Sequence, residues 1–237
     1  MSSPPLTLNA WLRYDVVRRL LTTTNAKTVV EFGAGRGAVG ARLSKGYEYT
    51  GIEPDERSRA VAQQGIHKGT MLADLSQLTA HKRFDVACAF EVLEHIEDDV
   101  GALQAWREHL SPGGHLILSV PALQERFAAA DHIAGHFRRY DPDVLTAVLT
   151  KAGYVEPKVV FYGFPFGYLL EWGRNTIAKR SRKSGPIETR TAASGRWLQP
   201  PDWLGWATRA SSFPFRVLQR IFPSRGTGLI AVARRPS

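Results

Sequence analysis

The stretch that most constrains the fold of this chain is the glycine-rich segment at residues 28–40, TVVEFGAGRGAVG. Val29 and Val30 are β-branched residues that favour a buried strand. Three glycines then allow the backbone to turn and to approach a ligand without interference from a Cβ atom. A helical pattern resumes at Ala38. The order strand, glycine turn, helix predicts a nucleotide-type pocket at a helix N-terminus, beside the carboxyl end of a parallel strand.

The glycine loop by itself fits two kinds of cofactor. Its glycines are Gly33, Gly35 and Gly37. The spacing from Gly33 through Gly35 to Ala38 matches the dinucleotide fingerprint, in which an acidic residue about 20 positions further on binds the ribose. Glu53 takes that position. The loop alone therefore does not separate a nicotinamide cofactor from S-adenosylmethionine.

Three motifs along the chain do separate these cofactors. Glu31 precedes the glycines, so residues 31–37 give the pattern acid-x-Gly-x-Gly-x-Gly. Residues 84–95, FDVACAFEVLEH, and residues 110–118, LSPGGHLIL, follow in order. Together they resemble motif I, the fourth strand and the turn into the fifth strand of class I S-adenosylmethionine-dependent methyltransferases. A dinucleotide dehydrogenase should carry a second βαβ half, which the sequence does not show, so the methyltransferase interpretation is favoured.

Alternating strand and helix patterns predict an α/β fold with a Rossmann-like, doubly wound sheet and helices on both faces. A leading helix is predicted at residues 8–24. The resemblance implies seven strands, mostly parallel, with the last strand antiparallel and inserted beside the one before it. The chain is then a single methyltransferase domain over residues 1–237, with an insertion at residues 163–225 between the last two strands.

The insertion carries most of the excess positive charge. The chain has a formal net charge of +9, and residues 163–225 contain 11 basic and 3 acidic residues. The segment also holds four of the six tryptophans, which are Trp172, Trp197, Trp203 and Trp206. Amphipathic, basic pieces with tryptophan at their edges favour docking on an anionic membrane surface. The alternative is a lid that packs over the acceptor pocket.

The resemblance also implies roles for residues near the carboxyl ends of the strands. Glu53 would accept hydrogen bonds from the ribose hydroxyls. Asp74 would accept from the adenine amino group, with Leu75 stacked nearby. Glu31 would order the loop and the ammonium end of the cofactor, directly or through water. Phe90 would lie close to the methionine moiety.

Methyl transfer from a sulfonium is a displacement in which the protein mainly aligns the nucleophile and excludes water. A hydroxyl nucleophile usually also needs a base or a metal ion. Glu91, Glu94 and His95 would share one face if they began the helix after the fourth strand. This cluster resembles the site for Mg²⁺, Mn²⁺ or Zn²⁺ in some members of the family. Other relatives use such residues to brace the acceptor pocket, so both interpretations stay open.

A second candidate group follows the fifth strand, at residues 131–140, DHIAGHFRRY. It resembles a Gly-His-x-Arg-Arg-Tyr segment of one branch of the family. His136 or His132 would remove the proton of the acceptor or complete a metal site. The alternative is a structural loop in which the two arginines pair with the glutamates of the first group.

Three function classes follow from these features. The favoured one is an enzyme for O-methylation of a small or lipid-linked acceptor, with oxygen chosen by analogy to the resembled family. The second is an RNA or DNA methyltransferase whose basic insertion binds phosphates. It is disfavoured because residues 90–93, FEVL, replace the Asn/Asp-Pro-Pro-aromatic motif of amino-directed nucleic-acid enzymes. The third, a cofactor-binding but catalytically silent module, is disfavoured by the intact glycine loop and by Glu53.

The sequence predicts a cytoplasmic protein that is either free in solution or held peripherally at the inner face of the membrane. The N-terminal residues lack the pattern of a secretory signal, and no apolar run reaches transmembrane length. The single cysteine, Cys88, lies in an apolar strand, so a buried thiol in a reducing compartment is expected.

Overall fold

A central sheet of seven strands organises the computed structural model, which describes residues 4–79, 81–180 and 201–237. The strands are β1 (Thr28–Phe32), β2 (Glu48–Ile52), β3 (Gly69–Leu72), β4 (Phe84–Phe90), β5 (Leu110–Pro121), β6 (Val155–Gly163) and β7 (Gly226–Arg234). Their order across the sheet is β3-β2-β1-β4-β5-β7-β6. Strands β1 to β5 pair in parallel, and β7 runs antiparallel between β5 and β6. The predicted Rossmann-like sheet with its inserted antiparallel last strand is confirmed.

Helices connect the strands along the chain. They are α1 (Leu8–Leu21), α2 (Gly40–Leu43), α3 (Glu56–Gly65), α4 (Asp99–Glu108), α5 (Ala129–Ala134), α6 (Pro142–Lys151), α7 (Phe166–Arg180) and α8 (Gly205–Ile221). Short 3₁₀ turns lie at Leu75–Gln77, Leu93–His95, Gln124–Arg126 and Asp202–Leu204. Within the described parts of the chain, no helix combines the length and the apolar composition needed to cross a membrane.

The core has two halves because alternate residues of a strand face opposite sides of the sheet. Val30 and Ala87 join a buried cluster that includes residues of α4 and α6. Val29 and Cys88 join a second buried cluster that includes residues of α1. Cys88 is buried as predicted, and burial raises the pKa of its thiol. Helices therefore cover both faces of the sheet, as the doubly wound fold class requires.

The leading helix α1 ends at Leu21, three residues before the predicted end. Its start is capped by Thr7, whose hydroxyl oxygen accepts a hydrogen bond from the Ala10 amide at 3.2 Å. At residues 22–24 each threonine hydroxyl donates to a backbone carbonyl three positions earlier, at 2.7–2.8 Å. These local hydrogen bonds compete with the helical ones, which explains the earlier end.

The segment after β4 differs from the prediction. A 3₁₀ turn at Leu93–His95 follows β4, and α4 begins only at Asp99. The Asp98 side chain caps α4 by accepting from the Gly101 amide at 2.9 Å. The residue that follows β4, Glu91, has a φ of +58°, outside the right-handed helical region. A helix face that begins at Glu91 therefore does not exist.

The connection from β6 to β7 contains α7 and α8. Helix α8 packs against α1, where the Gln219 amide group donates to the Leu12 carbonyl at 3.0 Å. Residues 181–200, which include Trp197, lie outside the described residues.

Candidate active site

The glycine loop lies between β1 and α2, and its three glycines have φ values of +67°, +55° and +73°. An ideal Cβ atom at Gly33 would come within 2.5 Å of Val92. One at Gly37 would come within 2.7 Å of Ala62. A Cβ atom at Gly35 would meet no atom of the described residues within 4 Å. Packing within the protein thus requires glycine at the outer two positions, whereas Gly35 borders open space that a ligand can enter.

Glu53 lies beside this open position. Its carboxylate accepts hydrogen bonds from the backbone amides of Gly35 at 2.7 Å and Asp55 at 2.9 Å. A carboxylate offers about four acceptor positions. Glu53 therefore keeps acceptor capacity for two hydroxyl groups of a ligand in the loop.

Glu31 is buried in β1 beneath the loop, with 3% of its surface exposed. The Tyr49 hydroxyl donates to its carboxylate at 2.6 Å. Burial raises the pKa of Glu31 to about 7, although the Tyr49 hydrogen bond and the Arg13 charge act in the opposite direction. Near neutral pH the protein therefore holds this carboxyl group close to its titration midpoint.

The other predicted cofactor residues lie at the carboxyl ends of neighbouring strands. Asp74 precedes the 3₁₀ turn after β3, where its exposed carboxylate accepts hydrogen bonds from the amide and hydroxyl of Ser76. These hydrogen bonds lower the pKa of Asp74. Leu75 begins that turn, and Phe90 ends β4 with 8% of its surface exposed. Strands β3, β2, β1 and β4 are adjacent and parallel. The predicted cofactor residues therefore form a row along the carboxyl ends of these four strands.

Glu91, one of the three candidate metal ligands predicted from the sequence, is not part of the cluster that the structure forms. Its carboxylate accepts hydrogen bonds from the hydroxyls of Ser119 at 2.8 Å and Tyr162 at 3.1 Å. It also lies 3.3 Å from the Arg13 guanidinium. Burial acts to raise the pKa of Glu91, but the Arg13 charge and the Ser119 hydrogen bond outweigh it, so the pKa is lowered. Glu91 is therefore an ionised carboxylate whose Oε1 atom has three partners.

The structure instead brings together Glu94, His95 and His136. One potential ligand atom from each of them lies within 4.8 Å of the other two. The two imidazole rings meet edge to face with their centroids 4.6 Å apart. The Nε2 atom of His136 lies 3.9 Å from a carboxylate oxygen of Glu94. This cluster combines members of the two groups that the sequence predicted separately.

The Glu94 side chain is fully buried, and neither of its oxygens has a hydrogen-bond partner among the described residues. Burial and the neighbouring Glu91 charge raise its pKa well above the usual range. The adjacent His95 ring lies 3.3 Å from the Gly135 carbonyl through Nδ1. Burial and His136 lower the pKa of His95 to about 4, so this imidazole is neutral near pH 7. A buried polar group without partners is costly, which marks the cluster as a place for a ligand.

His136 is held by an ionised carboxylate. Its Nδ1 atom lies 2.8 Å from Asp131, which also accepts two hydrogen bonds from Arg139 at 2.8–2.9 Å. Burial acts to raise the pKa of Asp131, but hydrogen bonds from His136 and Arg139 lower it strongly. An ionised carboxylate only accepts hydrogen bonds, so the proton of neutral His136 sits on Nδ1. The Nε2 lone pair then points to the side of the ring where Glu94 lies.

The third candidate, His132, is exposed on α5. Its ring packs edge-on against Phe127, with the centroids 4.9 Å apart. This contact lies outside the cluster of Glu94, His95 and His136. The structure therefore separates His132 from the other two histidines that the sequence proposed.

The arginines of the same loop form no ion pair with Glu91 or Glu94, so that part of the alternative interpretation is wrong. Arg138 forms an ion pair with Asp99 at 2.8 Å. Arg139 binds Asp131 and also Glu171 of α7. The Arg139–Glu171 ion pair connects the loop after β5 to α7, which lies in the connection between β6 and β7. Sequence reasoning missed Asp131 as the partner of His136, although the two residues are only five positions apart.

The chain is similar to known proteins. A family model described as "Methyltransferase domain" matches residues 9–155, more than half of the chain. The ubiquinone biosynthesis O-methyltransferase of Alkalilimnicola ehrlichii is 30% identical over 118 residues, which cover 46% of this chain and 47% of that protein. The chain thus spans about half the length of the curated relatives it matches.

Solved structures share the fold. An S-adenosylmethionine-dependent methyltransferase from Mesorhizobium loti has a TM-score of 0.59 at 17% identity, covering 96% of this chain and 100% of that one. An N-methyltransferase from Bradyrhizobium japonicum, solved with S-adenosyl-L-homocysteine, has a TM-score of 0.55 at 18% identity, covering 97% and 89%. At these identities the likeness shows the fold alone.

Proposed function

The chain belongs to the methyltransferase domain family, and from that premise we propose that it uses S-adenosylmethionine to methylate an oxygen atom of a small or lipid-linked acceptor. The observation that carries the proposal is the row of predicted cofactor residues along the carboxyl ends of β3, β2, β1 and β4, together with His136, which is held by Asp131. The curated relative is named for O-methylation in quinone biosynthesis, which supports oxygen as the acceptor atom. Methylation of nucleic acid is not favoured.

The cofactor binds along this row in our proposal. Asp74 and Leu75 contact the adenine, and Glu53 accepts from both ribose hydroxyls. Glu31 and the glycine loop face the amino-acid end, and Phe90 covers the methionine moiety. The open space at Gly35 and the remaining acceptor capacity of Glu53 fit such a ligand. When bound, S-adenosylmethionine supplies a methyl group that is already activated by its sulfonium.

His136 is the proposed base. Its Nε2 atom accepts the proton of the acceptor hydroxyl, and Asp131 stabilises the imidazolium that forms. The ion pairs of Arg139 with Asp131 and Glu171 are buried, so they hold the carboxylate in place. The acceptor oxygen can therefore be deprotonated as it attacks the methyl group.

The same cluster fits a divalent cation, which is the alternative to a base. Glu94 offers two unpartnered oxygens, and His95 and His136 each offer a ring nitrogen. Asp131 on the far side of the His136 ring is an arrangement common behind metal-bound histidines. Two imidazoles and one carboxylate suit Mn²⁺ or Zn²⁺ better than Mg²⁺. Such an ion would supply Lewis-acid activation of the acceptor hydroxyl.

The proposal is tested by identifying the product. Purified protein with isotope-labelled S-adenosylmethionine is incubated with small-molecule and lipid fractions of cells that lack the gene. We expect mass spectrometry to show a labelled compound heavier than its precursor by one methylene unit, with the methyl group on oxygen. A labelled nucleic acid, or no transfer despite cofactor binding, would contradict the proposal.

We also expect the affinity for S-adenosylmethionine to fall as the pH drops below about 7, which is the pKa of Glu31. The ammonium group of the cofactor favours ionised Glu31, so the carboxylate contributes fully above this pKa and less below it. Calorimetric titrations on either side of pH 7 measure the effect. The Glu31→Gln variant controls for titration of the cofactor itself, and an equally steep pH dependence in that variant would exclude Glu31 as the cause.

A further inference from the structure

The outward surface of α8 is apolar. Trp206, Phe213, Val217 and Ile221 have 73%, 61%, 42% and 66% of their surface exposed. Their spacing of seven, four and four residues places them on one side of the helix, and exposed Ala210 fills the gap. Trp203, which is 72% exposed, lies on the same side just before the helix. We call these six residues the α8 outer face.

The side of α8 that packs against the protein is largely polar. Ser212 and Gln219 are buried there. The Gln219 side chain donates to the Leu12 carbonyl and accepts from the Gly163 amide, both at 3.0 Å. Phe215 adds one apolar contact by stacking on Phe166. A surface helix of a soluble protein normally buries its apolar side, and α8 shows the reverse.

A row of arginines borders the α8 outer face. Arg209, Arg216 and Arg220 repeat with the spacing of the apolar residues and lie along one edge of them. Helix α8 contains no acidic residue. Among the described residues only Asp15 forms an ion pair with this row, through Arg220 at 2.6 Å. The guanidinium groups of Arg209 and Arg216 lie over the Trp11 ring of α1, 5.9 and 5.3 Å from its centroid, and form no ion pair among the described residues. Two cations without acidic partners therefore border the apolar surface.

We propose that the α8 outer face docks on an anionic lipid bilayer, with the helix lying in the plane of the interface. Tryptophan prefers the boundary between headgroups and acyl chains, and arginine beside it pairs with lipid phosphates. A second copy that paired through its own α8 would cover the apolar residues but would bring no acidic partner to the arginine row, because α8 contains no acidic residue. Charge complementarity therefore favours the bilayer.

Helix α1 contacts both α8 and the active site. Gln219 of α8 holds the Leu12 carbonyl, and the next residue, Arg13, lies 3.3 Å from Glu91 at the site. Docking would keep the site close to the membrane surface. This consequence, which rests on the proposed function, favours a lipid-linked acceptor. The docking itself does not depend on methyl transfer.

The test is co-sedimentation of the full chain with phosphatidylcholine vesicles and with vesicles that also contain phosphatidylglycerol. We expect several-fold stronger binding to the anionic vesicles, weakened by salt. The Trp206→Ser, Phe213→Ser double variant should reduce binding by about 10-fold or more. The Val144→Ser variant removes another exposed apolar residue, on α6, and should bind like the wild type.

Three results would overturn the proposal. One is negligible binding to both kinds of vesicle. Another is unchanged binding by the α8 double variant, with thermal melting showing that it is folded. The third is a dimer of the wild-type chain, seen by ultracentrifugation and lost in the double variant without any binding to vesicles. None of these measurements requires turnover, so such a failure leaves the proposed methyl transfer untouched.

Discussion

Replacing Gly35 with valine is expected to abolish binding of S-adenosylmethionine while the protein stays folded. A Cβ atom at Gly35 meets no described atom within 4 Å, so the new side chain enters the space left for the ligand. The φ of +55° adds strain of about 1–2 kcal/mol, which lowers stability without preventing folding. We expect affinity to fall by about 100-fold or more, equivalent to about 2.8 kcal/mol. Calorimetry with the purified variant measures this loss.

Glu53→Ala should weaken cofactor binding by about 10-fold to 100-fold, since a hydrogen bond to a charged group contributes about 1.5–3 kcal/mol. Gly46→Val is the control for the added side chain, because a Cβ atom there also meets nothing within 4 Å of the described residues but Gly46 lies outside the loop. That control should bind the cofactor normally. Near-normal affinity in both Gly35→Val and Glu53→Ala would show that the cofactor site has been assigned to the wrong place.

The second large effect is expected for His136→Ala, which should lower kcat by about 100-fold or more with little change in cofactor affinity. A base acts on the proton of the acceptor, so its loss affects the chemical step and not the binding of S-adenosylmethionine. His95→Ala should reduce kcat less, and His132→Ala least, because His136 is oriented by the ionised Asp131 carboxylate and His132 lies outside the cluster. Steady-state kinetics of the three variants with one acceptor measure this order.

The same variants separate a base from a bound cation. If a cation activates the acceptor, a chelator should abolish turnover, and Mn²⁺ or Zn²⁺ should restore it. Glu94→Gln and His95→Ala would then be as damaging as His136→Ala. Turnover that survives the chelator while His136→Ala remains inactive supports the base. Normal turnover of His136→Ala would contradict both interpretations.

The sequence by itself determined the parts that depend on neighbours along the chain. The strand with β-branched residues, the glycine turn and the following helix were predictable because positive φ values and strand periodicity are local properties. Glu53, Asp74 and Phe90 were placed near strand ends for the same reason. The antiparallel insertion of β7 between β5 and β6 was implied only by the family resemblance. Periodicity alone does not give it.

Tertiary structure decided which of the candidate residues meet. The amide of Phe137 donates to the Glu94 carbonyl at 2.8 Å, which brings the loop after β5 against the turn after β4. This hydrogen bond joins residues more than forty positions apart in the sequence and places His136 beside Glu94 and His95. Glu91 is not part of the cluster and instead pairs with Arg13 of α1. Periodicity likewise revealed apolar and basic positions in α8 but not which side faces outward. That depends on the hydrogen bonds of Gln219 to α1 and β6, because helix orientation is fixed by the surface against which a helix packs.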